Sequence, residues 1–172
     1  MELNNVLVRL IQVLALLSTG LLAGAFGYGA VNVAPTFAAV PLDVRLVFHA
    51  ELMKMNGPVI QTAMAVSTFG SLLLASLTRG VPRLLAATAG ALTVTSFLVT
   101  RFGNVPINGQ IKVWAVTSAP PGYTNLLRQW ETFNIIRTGT AVVAFVLLLV
   151  IVFQQSRRPA VVARWEKAPS LG

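Results

Sequence analysis

Four long runs of apolar residues, separated by shorter polar stretches, set the pattern of this chain. They lie at about residues 6–31, 57–77, 84–100 and 127–153. A helix needs about 20 predominantly apolar residues to cross the hydrocarbon core of a bilayer, and the four runs are near or above that length. The pattern therefore predicts an all-α fold, an integral membrane four-helix bundle that forms one domain over residues 1–156.

The polar residues are concentrated in two of the three segments that join the runs. The turn between the second and third runs is short, whereas the connections at about residues 32–56 and 101–129 are long. Residues 42–56 have a helical pattern, and Gly57 and Pro58 are expected to kink this helix where the second span begins. The bundle is thus predicted to have two long outer connections, of which the first is partly helical.

Composition and charge agree with a membrane protein. The chain is 55% hydrophobic and only 10% charged, whereas soluble domains carry about 25% charged residues. The formal net charge is +8, but the basic residues flank the apolar runs, as topology signals and contacts to anionic lipid do, so no nucleic-acid partner is expected. The chain has no cysteine and one histidine, which excludes thiolate chemistry and a multi-histidine metal site within one protomer.

The basic residues predict the orientation of the bundle. Arg79 and Arg83 lie in the short turn between the second and third runs, and four more basic residues follow the last run. The positive-inside rule places this side, with both termini, in the cytoplasm. The membrane expected is a bacterial plasma membrane, and residues 157–172 are expected to form a basic, partly disordered cytoplasmic tail. The basic residues of that tail are Arg157, Arg158, Arg164 and Lys167.

An arginine within the fourth run is the least expected residue for a membrane helix. Arg137 follows Trp130 and Asn134 at helical spacing, so the three side chains share one face. An arginine at the centre of a membrane helix costs about 2.5–3.5 kcal/mol on insertion scales, so such residues usually face a bundle interior or a wet cavity. Counting back from residue 153 places Arg137 near the outer edge of the hydrocarbon.

Polar residues of both long connections are expected to meet this face. His49 and Asn56 share a face of the helix at 42–56, and Asn104 and Asn108 approach each other if their segment is helical. The sequence therefore predicts a polar pocket in the outer half of the bundle. Its expected members are His49, Glu51, Asn56, Asn104, Asn108, Trp130, Asn134 and Arg137.

Each of these residues also has a structural interpretation. Arg137 either snorkels to the interface, forms an ion pair with Glu51 or Asp43, or binds an anion. Trp130 is equally typical of an interfacial anchor, and asparagines commonly cap helices or join them by hydrogen bonds. His49 is the only side chain here whose ordinary pKa lies near neutrality, which favours it as a general base over Glu51 and Glu131.

Two short motifs carry a resemblance to a known family. Residues 104–108 read Asn-Val-Pro-Ile-Asn and residues 134–138 read Asn-Ile-Ile-Arg-Thr, with Trp130 before the second motif and a histidine before the second span. Together they resemble the anthrone oxygenase-like family, small four-helix membrane proteins, over about residues 10–153. Better-known members of that family convert an anthrone to an anthraquinone with dioxygen, without flavin, haem or nicotinamide.

The resemblance implies a reaction and a role for each pocket residue. A base, here His49, would remove a proton from the acidic methylene carbon of a phenolic polycyclic aromatic substrate. Arg137, with Asn104 and Asn108, would stabilise the enolate oxygen. Trp130, Asn134, Asn56 and Glu51 would bind the apolar substrate, which would enter from the lipid bilayer. No cofactor is implied, since dioxygen is the co-substrate.

Two other functions stay open on the sequence. One is a non-enzymatic membrane subunit whose pocket binds a lipid, a quinone or a partner protein. The other is a metal-dependent membrane oxidase that uses His49, although His49 with Glu51 or Met53 offers few ligands. Homo-oligomerisation also stays open.

Overall fold

The computed structural model describes the backbone of residues 2–156 and the side chains of residues 6–155, and this part of the chain is entirely helical. The expected cytoplasmic tail at 157–172 lies outside the described residues. The helices are α1 (Glu2–Tyr28), α2 (Ala34–Ala39), α3 (Leu42–Leu77), α4 (Val81–Val99), α5 (Val105–Trp114) and α6 (Tyr123–Ser156).

The six helices form four continuous rods. A π-helical turn at Gly29–Val33 joins α1 to α2, and a second one at Thr100–Asn104 joins α4 to α5. The described residues thus contain four helical spans of 33 to 36 residues, each apolar enough to cross a membrane. At 1.5 Å per residue each rod is about 50 Å long, more than the hydrocarbon thickness of about 30 Å. The predicted fold class, an all-helical membrane bundle of four spans, is confirmed.

Prolines account for the two π-helical turns. Pro35 and Pro106 each lie within the first two positions of the α-helix that follows such a turn. A proline ring inside an α-helix clashes with the carbonyl group four residues earlier. The wider π-helical turn moves that carbonyl group away, so the helix continues instead of ending. The second π-helical turn ends at Asn104, one of the expected site residues.

The segments expected as long outer connections are mostly helical. The first becomes α2 and the beginning of α3, which runs without interruption through Pro58. The second becomes the end of the α4–α5 rod and the beginning of α6, with only residues 115–122 between them. The polar residues of these segments are therefore held on rigid helices, at the end of the bundle formed by α2, α5 and the first turns of α3 and α6. We call this the polar end.

Each rod packs against two others, so the bundle is a ring. α1 contacts α3 and α6, and α4 also contacts α3 and α6. Small apolar residues, including Ala15, Ala86 and Ala144, fill the core toward the opposite end of the bundle. Aromatic residues, including Phe37, Trp114 and Trp130, fill it at the polar end. Many leucines, valines and phenylalanines are exposed on the outside, as expected for a surface that faces lipid.

Gly70 sets the distance between α1 and α3. A Cβ atom at this position would lie 3.2 Å from both Cα and Cβ of Ala15 on the facing helix. Small residues allow such close approach between membrane helices, where van der Waals packing replaces the hydrophobic effect as the main attraction. Gly24, in contrast, has open space around the position of a Cβ atom.

Gly70→Leu is expected to lower the free energy of unfolding by about 1–3 kcal/mol, because an overpacked contact forces helices apart. The measurement is SDS-induced unfolding in mixed micelles, followed by tryptophan fluorescence. Gly24→Leu is the matched control, since it adds the same side chain to an exposed position of the same bundle. Equal losses in the two variants would show that the α1–α3 distance does not depend on Gly70.

Candidate active site

Four of the expected site residues meet at the polar end. His49 on α3, Asn104 and Asn108 on the α4–α5 rod and Trp130 on α6 are joined by hydrogen bonds. His49 and Asn104 are completely buried, and Trp130 is 2% exposed. We call these four residues, with Phe37, the Trp130 cluster.

Trp130 is bonded to both asparagines. Its indole Nε1 donates to Oδ1 of Asn108 at 2.8 Å, and its carbonyl oxygen accepts from Nδ2 of Asn104 at 3.1 Å. The same Oδ1 of Asn108 lies 3.1 Å from Nε2 of His49. The amide oxygen of Asn108 is thus shared between Trp130 and His49.

Two aromatic side chains fix the plane of the His49 ring. Phe37 stacks on it with centroids 4.7 Å apart and an interplanar angle of 13°. Trp130 packs against it at 4.6 Å and 66°. Phe37 belongs to the short helix α2, and a single phenylalanine there gives no sequence signal of this role. The imidazole is therefore held tightly, with its orientation determined by packing as well as by Asn108.

Two polar atoms of the cluster have no hydrogen-bond partner among the described residues. They are Nδ1 of His49 and Oδ1 of Asn104, and both are buried. Leaving a buried polar atom unpaired costs about 1–3 kcal/mol. Such atoms in a native fold require an explanation, and a catalytic role or an ordered water or ion is among the established ones.

Arg137 lies about two turns beyond Trp130 on α6, and its side chain faces α1. Its Nε and one terminal nitrogen both donate to Oδ1 of Asn134, at 3.0 and 2.7 Å. Its guanidinium carbon is 4.4 Å from the centroid of the Phe26 ring on α1, a cation–π distance. Asn134 is 1% exposed, so this arrangement is part of the bundle interior.

An ion pair with Glu51 or Asp43, one of the three alternatives for Arg137, is not formed among the described residues. In the described residues, Glu51 pairs with Lys54 and Glu131 pairs with Arg45, so no carboxylate neutralises Arg137. Among the described residues, its guanidinium group contacts an amide oxygen and an aromatic ring instead.

A buried arginine was missed by sequence reasoning. Arg45 is 8% exposed, and it lies 3.0 Å from Oε1 of Glu131, which joins α3 to α6. Its guanidinium carbon is 5.9 Å from the Phe37 ring centroid. Arg45 precedes His49 by four residues and thus shares its helix face, which was an available signal. Glu131, considered only as an alternative base, is its partner.

Glu51 and Asn56 are not part of the cluster. Glu51 follows His49 by two residues, which turns it to the opposite side of the helix, and its side chain is 61% exposed. Asn56 shares the face of His49 in a helical projection, but it is exposed and has no hydrogen bond to the cluster. The structure therefore does not bring these two residues together with the Trp130 cluster.

Metal ligands are sparse in the described residues. Residues 6–155 contain no group of three or more histidine, aspartate or glutamate side chains arranged to hold a metal ion.

Two surface grooves, of about 530 and 420 Å³, lie away from the Trp130 cluster. One is between α1 and α3 near Pro58, and the other is at the turn between α3 and α4.

These features define an integral membrane helical bundle with a buried polar site at one end. The family model described as anthrone oxygenase matches residues 44–147, and the chain belongs to this family. The match runs from the first turn of α3 into α6 and includes His49, Trp130 and Arg137, whereas Phe26 and Phe37 lie outside it. A search of curated proteins found no match, and neither did a search of solved structures.

Glu131→Gln is expected to lower the free energy of unfolding by about 1–3 kcal/mol, the usual contribution of a hydrogen bond to a charged group. The reason is that Arg45 would keep its charge in a largely buried position without a carboxylate. Glu51→Gln is the control, because it removes the same charge from an exposed pair on the surface. Exposed pairs contribute about 0–1 kcal/mol. Unfolding in SDS mixed micelles measures both, and equal effects would contradict the structural role of the Arg45–Glu131 pair.

Proposed function

We propose that this protein is a membrane oxygenase that removes a proton from an acidic carbon of a phenolic polycyclic aromatic substrate and lets the carbanion react with dioxygen. Membership of the anthrone oxygenase family supports a related oxygenase function. The observation that carries the assignment of residues is the buried His49, which is held rigidly and has an unpaired ring nitrogen.

The reaction balances without a further redox partner. His49 takes one proton from a methylene carbon that lies between aromatic rings and opposite a carbonyl group, and the electron pair moves onto that carbonyl oxygen. The carbanion then bonds to dioxygen and gives a hydroperoxide once the proton returns. Loss of water converts the hydroperoxide carbon to a second carbonyl group, so the substrate is oxidised to a quinone. One oxygen atom enters the product and the other leaves as water.

Arg137 would stabilise the enolate oxygen. Hydrogen-bond donors and charges placed where negative charge develops are usually the largest contribution to catalysis of this kind. Arg137 has no carboxylate partner among the described residues, and Asn134 and Phe26 fix its position. Arg45 lies one helical turn before His49 on the same face of α3. An anion formed beside His49 would therefore be attracted by Arg45 as well.

Substrate access would require movement at the polar end. His49 is completely buried, and Phe37 on α2 covers one face of its ring. α2 has only six residues, between a π-helical turn and the bend at Val40–Pro41. We propose that displacement of this short helix exposes the cluster to an apolar substrate dissolved in the membrane.

We also propose that both termini face the cytoplasm of a bacterial cell. Arg79 and Arg83 flank the turn between α3 and α4, at the end opposite the Trp130 cluster, and the positive-inside rule favours the cytoplasm for that turn. The cluster would then lie at the outer side of the membrane.

His49→Ala and Arg137→Gln are each expected to lower anthrone-dependent oxygen uptake by about 10²-fold or more, because general base catalysis and anion stabilisation each contribute at least that much. An oxygen electrode measures uptake by protein purified in mild detergent. Arg128→Gln is the matched control, since Arg128 is exposed on the same helix as Arg137, and its uptake should equal that of the wild type.

Uptake at the wild-type rate in a folded His49→Ala variant would contradict the assignment of the base. Absence of uptake by the wild-type protein with a range of anthrones would contradict the proposed function itself. In that case native mass spectrometry would test for a co-purifying lipid, quinone or protein subunit.

A further inference from the structure

The amide group of Asn108 can face Trp130 in only one way. An indole N–H is a donor and cannot accept a hydrogen bond. The Asn108 atom 2.8 Å from Nε1 of Trp130 must therefore be the oxygen, as the structure has it. If the amide rotated by 180°, two N–H groups would face each other and a hydrogen bond would be lost.

This orientation determines which nitrogen of His49 carries the proton. Oδ1 of Asn108 is also 3.1 Å from Nε2 of His49. An amide oxygen has two lone pairs and no proton, so it can accept from Trp130 and from His49 at once. Nε2 must then be the donor. In the neutral imidazole the remaining nitrogen, Nδ1, has no proton and carries a free lone pair.

We infer that Asn108, held in place by Trp130, fixes His49 in the Nε2–H tautomer, so that Nδ1 is the atom that accepts the substrate proton. Nδ1 is buried and has no partner in the described residues. Phe37 and Trp130 pack against the ring and prevent it from flipping without disrupting the aromatic cluster. The catalytic part of this inference rests on the proposed function, whereas the tautomer does not.

The second unpaired atom of the cluster, Oδ1 of Asn104, is also a hydrogen-bond acceptor. Nδ2 of Asn104 donates to the carbonyl oxygen of Trp130, which can only accept. That bond fixes the amide of Asn104 and leaves its Oδ1 as an acceptor without a donor. Both unpaired atoms of the cluster are thus acceptors, and neither can satisfy the other. What the cluster lacks is a hydrogen donor, which a substrate with an acidic hydroxyl or an acidic carbon supplies.

Asn108 and Trp130 are therefore positioning residues for His49. Their proposed effect is to keep the lone pair on Nδ1 and the proton on Nε2 in the resting protein. In metal sites, partners that orient a histidine typically change affinity or activity by about 10–100-fold when they are replaced, and we expect an effect of similar size here.

The single histidine of the chain allows a direct test. Protein labelled with ¹⁵N-histidine gives signals from one imidazole only. In the wild type at alkaline pH, where the ring is neutral, Nε2 is expected to have the chemical shift of a protonated nitrogen and Nδ1 that of an unprotonated one. The reverse pattern, or an average of the two, would overturn the inference whatever the oxygenase activity is.

Four variants separate tautomer control from packing. Trp130→Phe keeps an aromatic ring beside His49 but removes the donor to Asn108, so the two nitrogen shifts should move toward an average. Trp114→Phe makes the same substitution in the same apolar cluster and should leave both shifts unchanged. Asn108→Asp offers only acceptor oxygens and should keep the wild-type pattern, whereas Asn108→Leu should lose it.

Oxygen uptake supplies the second readout. Asn108→Leu should lower kcat by about 10-fold or more with little change in KM, and Asn108→Asp should restore most of that loss. Equal kcat in the leucine variant and the wild type would overturn the positioning role. If the wild type takes up no oxygen but shows the expected nitrogen shifts, the proposed function fails while the tautomer assignment stands.

Discussion

The polar end of this bundle depends on the two hydrogen bonds of Trp130. Its indole N–H can only donate and its carbonyl oxygen can only accept, so each orients one asparagine without ambiguity. Asn108 then orients His49, and the face of the imidazole is covered by Phe37. One residue of α6 thus aligns groups from α2, α3 and the α4–α5 rod. In the buried interior of the bundle, where water does not compete, these bonds are hard to replace once broken.

The backbone contributes to this alignment through the two π-helical turns. A loop at residues 100–104 would leave Asn104 free to move, whereas the π-helical turn continues the rod and holds the side chain against Trp130. Such turns are frequent at functional sites because they change the direction of a side chain without ending the helix. Pro106 explains why the turn occurs at this place. The motif at 104–108 therefore combines the proline that requires the turn with the two asparagines that the turn positions.

The sequence was sufficient to predict the four membrane spans and part of the candidate site. Apolar runs of about 20 residues identify membrane helices, and helical spacing correctly placed Trp130, Asn134 and Arg137 on an inward face. Spacing within one helix does not show which residues of other helices lie opposite, so the contacts of Phe26 and Phe37 could not be predicted. The helical continuity through residues 100–114 also depended on packing against neighbouring rods. Glu51 was assigned to the site because it is acidic and near His49, although a separation of two residues places it on the other side of a helix.

The buried Arg45 and the partly buried Arg137 differ in a way that matters for the proposed chemistry. Arg45 is paired with Glu131 at 3.0 Å, so its net effect on a ligand is reduced. Arg137 has an amide oxygen and an aromatic face instead, which stabilise a guanidinium group without neutralising it. Replacing that amide by a carboxylate would stabilise the charged Arg137 side chain in the bundle. It would also neutralise the positive charge that the proposed enolate requires. Under the proposed function, an asparagine at position 134 would therefore favour anion binding over the stability of the resting protein, a balance that is common at catalytic sites.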